Sequence, residues 1–480
     1  MTESILPQQA AAGLCALSAT QAIDLLKRRE VSPLDFVDAA IARIEQVDPV
    51  VNALPLRRFE AARDTARRFP KPDDSTLATP GYLAGLPIAV KDYNDLAGLP
   101  TTCGSPIFRD NVAKVSDLTV ANLERHGAIP LAKSNVPEFA GANTFNTVFG
   151  ATRNPWNTRL TVGGSSGGSA AALASGMVWL ATGNDLGGSL RIPASYCGIV
   201  GMRPSVGRVP RPISPVPYDP LWVEGPMGRT VADVALMLDA QAHFDARDPL
   251  SWPRPPVPFV DAVRRPRIPK RVGYTADLGI GRVETQVARI CEQAVMRLAD
   301  CGTHVDDGCP DFSGGFESFQ TLRANLVAAV RGPLLDTARE RICPEIIWNI
   351  EKGLQQSGAD VARAERLRGA LFNRVSAFFG EYDLLACPTV AVAPFPVEQR
   401  FPTEIDGAPL DSYIDWMYLT FVLTLTGCPT ISIPAGFTDD GRPVGLQLMG
   451  RPRGDFELLG AAQLLETTLG VSTFTPQALA

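Results

Sequence analysis

The run Gly163-Gly164-Ser165-Ser166-Gly167-Gly168-Ser169 is followed by Asp185-Leu186-Gly187-Gly188-Ser189-Leu190-Arg191, with Ser165 and Ser189 24 residues apart. Glycine has no Cβ, so the backbone beside both serines can take conformations that other residues resist, and its N–H groups can approach a substrate closely. Directly after the first run, the alanine-rich stretch from Ser169 to Met177 reads as a helix. Upstream, the apolar run Leu86 to Val90 ends at Lys91-Asp92. It reads as a buried strand with functional groups at its C-terminal end, where open α/β sheets place ligands.

Working outward, Asp117 to Arg125 reads as a helix and Ala128 to Ala132 as the next strand, so strand and helix alternate as in an α/β fold with a mixed, mostly parallel central sheet. Residues 1–60 read as N-terminal helices. Ser18-x-x-Gln21 and Ser32-Pro33-x-Asp35 have the form of capping boxes, and Leu34, Val37, Ile41 and Ile44 mark one apolar face. Five prolines between Pro249 and Pro258 remove too many N–H donors for a helix or central strand and mark a surface crossing. Val287 to Leu298 and Val361 to Phe379 read as helices. Asp383 to Cys387, Thr430 to Ile433 and Val444 to Met449 read as strands, the last two joined through Asp439-Asp440-Gly441. No clean linker divides the 480 residues, so a single domain is expected, with 85–210 as its core and the weakly patterned 300–380 as a variable cap on the substrate side.

The chain is 45% hydrophobic and only 20% charged, which suits a large buried interior and argues against disorder. A net charge of −6 supplies no basic field for phosphate backbones, which excludes nucleic acid as an expected partner. No apolar run reaches membrane-spanning length, and Met1 to Gln9 lacks a basic segment leading into an apolar one; a cytoplasmic protein without membrane contact is expected. Nine cysteines without a Cys-x-x-Cys pair fit reduced thiols better than disulfides or zinc. No histidine, cysteine and carboxylate cluster has ligand spacing, so neither metal nor cofactor is expected.

Acyl transfer at a serine needs a nucleophile, a base, an acid for the departing group and N–H donors for the oxyanion. Only His126, His243 and His304 are present, none beside a nucleophile motif. Gly163 to Gly167 fits Gly-x-Ser-x-Gly in form, but the late histidine of an α/β-hydrolase is missing. Gly163-x-x-x-x-Gly168 begins like a phosphate-binding loop, yet Ser169-Ala170 stand where that loop needs lysine and a hydroxyl residue. Lysine is therefore the base to consider: burial at the end of an apolar strand disfavours the ammonium of Lys91. The plainer reading pairs Lys91 with a carboxylate, either Asp92 or Asp185.

Together with Gly85-Leu86-Pro87-Ile88-Ala89-Val90-Lys91-Asp92 and Ile199-Val200-Gly201-Met202-Arg203-Pro204-Ser205, the serine pair resembles the amidase signature family of serine hydrolases. The resemblance implies Ser189 as nucleophile, Lys91 as general base and Ser165, after a cis peptide bond, as the bridge between them. It implies an oxyanion hole from the N–H groups of Leu186, Gly187, Gly188 and Ser189, with Ser166, Asp185 and Arg191 in support. Asn184 and Leu186 flank Asp185 where small hydroxyl residues are common, and Tyr93 stands where asparagine is common.

The resemblance leaves two kinds of enzyme. A stand-alone amidase, monomeric or homodimeric, would act on a small hydrophobic, aryl amide; carbamates and aryl esters offer Ser189 the same acyl carbon. The glutaminase component of a tRNA-dependent amidotransferase must hold the charged groups of glutamine. The apolar run Trp416 to Thr424 favours the first, and Ala140, Gly141, Phe145, Trp416 and Met417 are expected to bind substrate, with Phe149, Trp222 and Phe421 nearby.

Overall fold

The computed structural model describes residues 8–141 and 143–470. Eleven strands make one sheet: β1 (Leu56–Arg57), β2 (Pro87–Lys91), β3 (Ile129–Ser134), β4 (Leu180–Asp185), β5 (Val200–Arg203), β6 (Val223–Gly228), β7 (Arg271–Tyr274), β8 (His304–Asp307), β9 (Leu384–Pro388), β10 (Thr430–Phe437) and β11 (Pro443–Gly450). Their spatial order is β1-β3-β2-β4-β6-β5-β10-β11-β9-β7-β8. Helices flank this sheet, giving one large α/β domain.

The sheet is mixed, as expected, but less parallel. β2 runs parallel to β3 and β4, and β7 to β8 and β9. The other six pairings are antiparallel. Continuous apolar runs report that a strand is buried on both faces, not which way its neighbour points, so β5 and β6 carry no direction in their composition. Only the turn at Asp439-Asp440-Gly441 announces an antiparallel pair: Gly441 has φ +82°, Thr438 N–H donates to Arg442 O at 2.9 Å, and β10 returns as β11.

The N-terminal helices are Gln8–Ala16, Ala19–Arg28 and Pro33–Val51, and residues 1–7 of the expected helical region lie outside the described residues. Both capping boxes form. Ser18 accepts from Gln21 N–H and Ser32 from Asp35 N–H, while the Gln21 and Asp35 side chains accept from the cap backbones. Phe36, Val37, Ile41 and Ile44 then dock on the core around β2 to β4, where Phe36 meets Trp179 edge to face at 5.1 Å. A second cluster, rich in aromatic rings, surrounds Phe319, Trp416, Tyr418 and Phe421. The stretch 300–380 is more ordered than its pattern indicates. Residues His304–Asp307 join the sheet edge, and helices Gly315–Arg331, Pro344–Leu354 and Gly358–Phe378 pack on one another, with Phe319 of the first reaching Gly187.

Candidate active site

Three parallel neighbours, β3, β2 and β4, end on the same side with Ser134, Lys91 and Asp185 at their C-terminal ends. Lys91 has no exposed surface. Its Nζ lies 2.8 Å from Ser165 Oγ, 2.8 Å from Ser166 Oγ and 2.6 Å from Asn184 Oδ1. Burial pushes its ammonium well below the ordinary lysine value, against the opposing pull of the Glu224 and Asp185 carboxylates. Asp92 is not its partner, because that carboxylate is 2.7 Å from Lys133 Nζ. Nor is Asp185, which is held by arginines. The Gly164–Ser165 peptide bond is cis.

Ser189 is half-buried, and its carbonyl accepts from Ser166 N–H at 3.2 Å, which ties the two serine loops together. Asp185 anchors the second loop from beneath. Arg191 grips it with two parallel bonds, Nε to Oδ2 and Nη2 to Oδ1, each 3.0 Å, and Arg203 Nη1 lies 3.3 Å from Oδ1. Burial alone would raise this carboxyl, but Arg191 and Arg203 hold it down at about 2. The same carboxylate accepts from Gly188 N–H at 2.9 Å and Leu190 N–H at 3.2 Å. Gly188 N–H is thus committed to Asp185, which leaves Leu186, Gly187 and Ser189 of the four expected oxyanion donors.

The loop also backs onto an aromatic wall. A Cβ on Gly187 would stand 3.1 Å from the Phe319 ring, and Phe319 stacks on Phe421 at 4.4 Å. Gly188 has φ +123°, and a Cβ there would fall 2.3 Å from Thr420 Oγ1, so only glycine fits. Thr420 Oγ1 bonds Gly187 O at 2.7 Å.

The expected substrate-side residues are not gathered in one place. Gly141 and Phe145 line a cavity of about 760 Å³ whose rim carries Arg153, Arg341, Glu345 and Arg400. Thr144, in its wall, donates to Gly163 O at 2.8 Å, so the cavity adjoins the first serine loop without including Lys91, Ser165 or Ser189. Ala140 is exposed. Trp416 has no exposed surface and packs between Tyr196 and Phe395, so it is core rather than pocket lining. Met417 is half-buried on the aromatic cluster, together with Leu186 and Trp222.

Several site residues escape a reading of motifs. Glu224, wholly buried on β6, stands opposite Asn184 in register, and Asn184 Nδ2 lies 3.4 Å from its Oε1. A lone acid inside the apolar run Val223 to Met227 is the signal that marks it. Arg203 lies within a quoted motif, but nothing in its sequence context ties it to Asp185. Phe319 sits in a helix with no pattern linking it to residue 187. The three histidines lie elsewhere: His126 bonds Asn122 O and Arg254, His243 bonds Gln241 O, and His304 is exposed at the sheet edge. All nine cysteines are free thiols. Among the described residues no helix is long and apolar enough to cross a membrane.

Residues 35–459 match the family model described as Amidase. The chain is 35% identical over 455 residues to an acylamidase of Rhodococcus erythropolis, covering 94% of this chain and 95% of that protein. It is 34% identical to a glutamyl-tRNA(Gln) amidotransferase subunit of Moorella thermoacetica, covering 94% and 96%. Among solved structures it is similar to a bacterial aryl acylamidase of the amidase signature family, with a TM-score of 0.86 and 29% identity over 96% of this chain and 99% of that one. The chain belongs to the amidase family and is a hydrolase that acts on amides.

Proposed function

We propose that this chain hydrolyses hydrophobic, aryl amides through an acyl-enzyme on Ser189, with Lys91 as general base and Ser165 as proton relay. The observation that carries this reading is the wholly buried Lys91 Nζ, 2.8 Å from Ser165 Oγ and without a carboxylate of its own. Ser189 Oγ attacks the amide carbon, and its proton passes through Ser165 to Lys91. The N–H groups of Leu186, Gly187 and Ser189 receive the oxyanion. The proton returns through Ser165 to the leaving nitrogen, the C–N bond breaks and the amine departs. Water then repeats the sequence on the ester and frees the acid.

The aromatic wall of Phe319 and Phe421 against Gly187, with half-buried Leu186, Trp222 and Met417, supports an apolar acyl or leaving group. The helices from 315 to 378 serve as the substrate-side cap, since Phe319 comes from the first of them. Carbamates and aryl esters reach the same site. A glutaminase role is the second reading, favoured by the amidotransferase relatives. Against it, Asp415, an acid beside the late helix, is already bonded by Ser412 N–H at 2.8 Å and Ser412 Oγ at 2.5 Å. A rate comparison of a p-nitroanilide, an aryl carbamate, an aryl ester and glutamine tests the choice. The anilide should lead glutamine in kcat/KM, and equal or faster turnover of glutamine contradicts the proposal.

A further inference from the structure

Resting on that reading of Lys91 as the base, we propose that Asn184 and Glu224 form a positioning pair that aims the lone pair of the Lys91 amine at Ser165. A neutral lysine amine has two N–H donors and one lone pair. Four oxygens surround Nζ: Ser165 Oγ and Ser166 Oγ at 2.8 Å, Asn184 Oδ1 at 2.6 Å and Asn184 O at 3.4 Å. Asn184 Oδ1 can only accept, so it takes one N–H. Ser166 Oγ can give its own proton to Asn184 O, 3.5 Å away, and so accepts the second N–H. The lone pair is left for the Ser165 hydroxyl, the direction in which a base must receive the nucleophile's proton.

This assignment depends on which way the Asn184 amide faces. Turned over, it would present its NH₂ to Lys91, occupy the lone pair and disable the base. Glu224 prevents that. Its Oε1 faces Asn184 Nδ2 at 3.4 Å across the β4–β6 ladder, where the two residues are direct register partners. Its Oε2 accepts from Asn94 Nδ2 at 3.2 Å, and Asn94 Oδ1 accepts from Thr182 Oγ1 at 3.2 Å, which in turn accepts from Lys91 N–H at 2.8 Å. The ring of bonds therefore starts and ends on Lys91, and both amides in it are oriented by a group that only accepts. The charged groups that act on Glu224 are Lys91 on β2 and Asp117 on the far side of Asn94, while Asp185 acts on Lys91 in turn. Burial and the Asp117 charge push the Glu224 carboxyl up, against the opposing pull of the Asn94 and Asn184 amide donors and of Lys91. Its role is to accept two amide donors, rather than to pair with the ammonium.

The test uses the full chain with a chromogenic anilide, reading kcat, KM and the pH profile of kcat/KM, with thermal melting to follow folding. Asn184→Asp is nearly isosteric but places a carboxylate against Nζ, which holds the ammonium. It should lower kcat about tenfold or more near neutral pH, part of the roughly 10²–10⁴ that base catalysis supplies. Its acid limb should move to higher pH while KM stays within about twofold. Glu224→Gln offers one carbonyl to two amide donors, frees the Asn184 amide and should lower kcat with little change in KM. Lys91→Ala separates the two claims. If it is inactive while folded Asn184→Asp and Glu224→Gln keep wild-type kcat and acid limb, the positioning role is wrong and the base assignment stands. If Lys91→Ala is active, both fall. A drop in kcat for Asn184→Asp without a move of the acid limb also counts against the pair.

Discussion

Replacing Asp185 by Asn removes the one charge that organises the Ser189 loop. Five donors converge on this carboxylate: Arg191 twice, Arg203 once, and the N–H groups of Gly188 and Leu190. An asparagine offers one acceptor oxygen and turns an NH₂ group toward the remaining donors. The arginines hold the carboxyl at about 2, below its unfolded value, so this contribution to stability is present at neutral pH and is lost as pH falls below about 4 toward 2. A fall of that size corresponds to about 2–3 kcal/mol. The substitution also strands two buried guanidinium groups, and breaking a buried pair costs about 3–5 kcal/mol, the larger figure being the expected loss. Urea unfolding followed by circular dichroism at pH 7 and pH 3 measures it. Asp185→Asn should unfold at clearly lower urea at pH 7, with the gap to wild type narrowing at pH 3. A variant within about 1 kcal/mol of wild type at pH 7 shows that these arginines do not depend on Asp185 and refutes the reasoning.

Lys91→Ala and Lys91→Arg should both lose turnover of a model anilide, because a guanidinium does not deprotonate at working pH; an active Lys91→Arg enzyme makes Lys91 a mere positive charge. Since burial lowers the Lys91 ammonium, kcat/KM should rise with pH and level off well below the ordinary lysine value of about 10.4, and a midpoint at that value contradicts a desolvated base. Gly188→Ala should lower kcat by roughly 10²–10³, comparable to losing an oxyanion donor, because its Cβ would collide with Thr420 at a backbone φ of +123°; unchanged kcat means the loop is free to shift. Trp416→Ala should act on stability, by about 3–5 kcal/mol in unfolding experiments, whereas Met417→Glu should act on kcat/KM for aryl amides; the reverse pattern puts Trp416 in the pocket and Met417 in the core.

How much the sequence reveals depends on how local each signal is. The two capping boxes and the strand ending at Lys91 are written within a few residues, and they form where the pattern places them. The proximity of Lys91 to Ser165 is legible only through the resemblance, because 74 residues separate them. Strand direction at β5 and β6 has no local mark, so the sheet looks more parallel in sequence than it is. Trp416 and Phe319 show the limit for pockets: an aromatic ring in an apolar helix reads the same whether it faces substrate or core, and contact across the fold decides it. Asn184 stands out in sequence as a departure from the common pattern, but its meaning needs Glu224 on the neighbouring strand.

Whether Ser189 carries the acyl group is tested most directly by intact-mass spectrometry after mixing with a slowly deacylating aryl carbamate, followed by peptide mapping. A single carbamoyl adduct on Ser189, absent from Ser189→Ala, is the predicted result. An adduct on another residue, or a folded Ser189→Ala enzyme with near wild-type turnover, contradicts it.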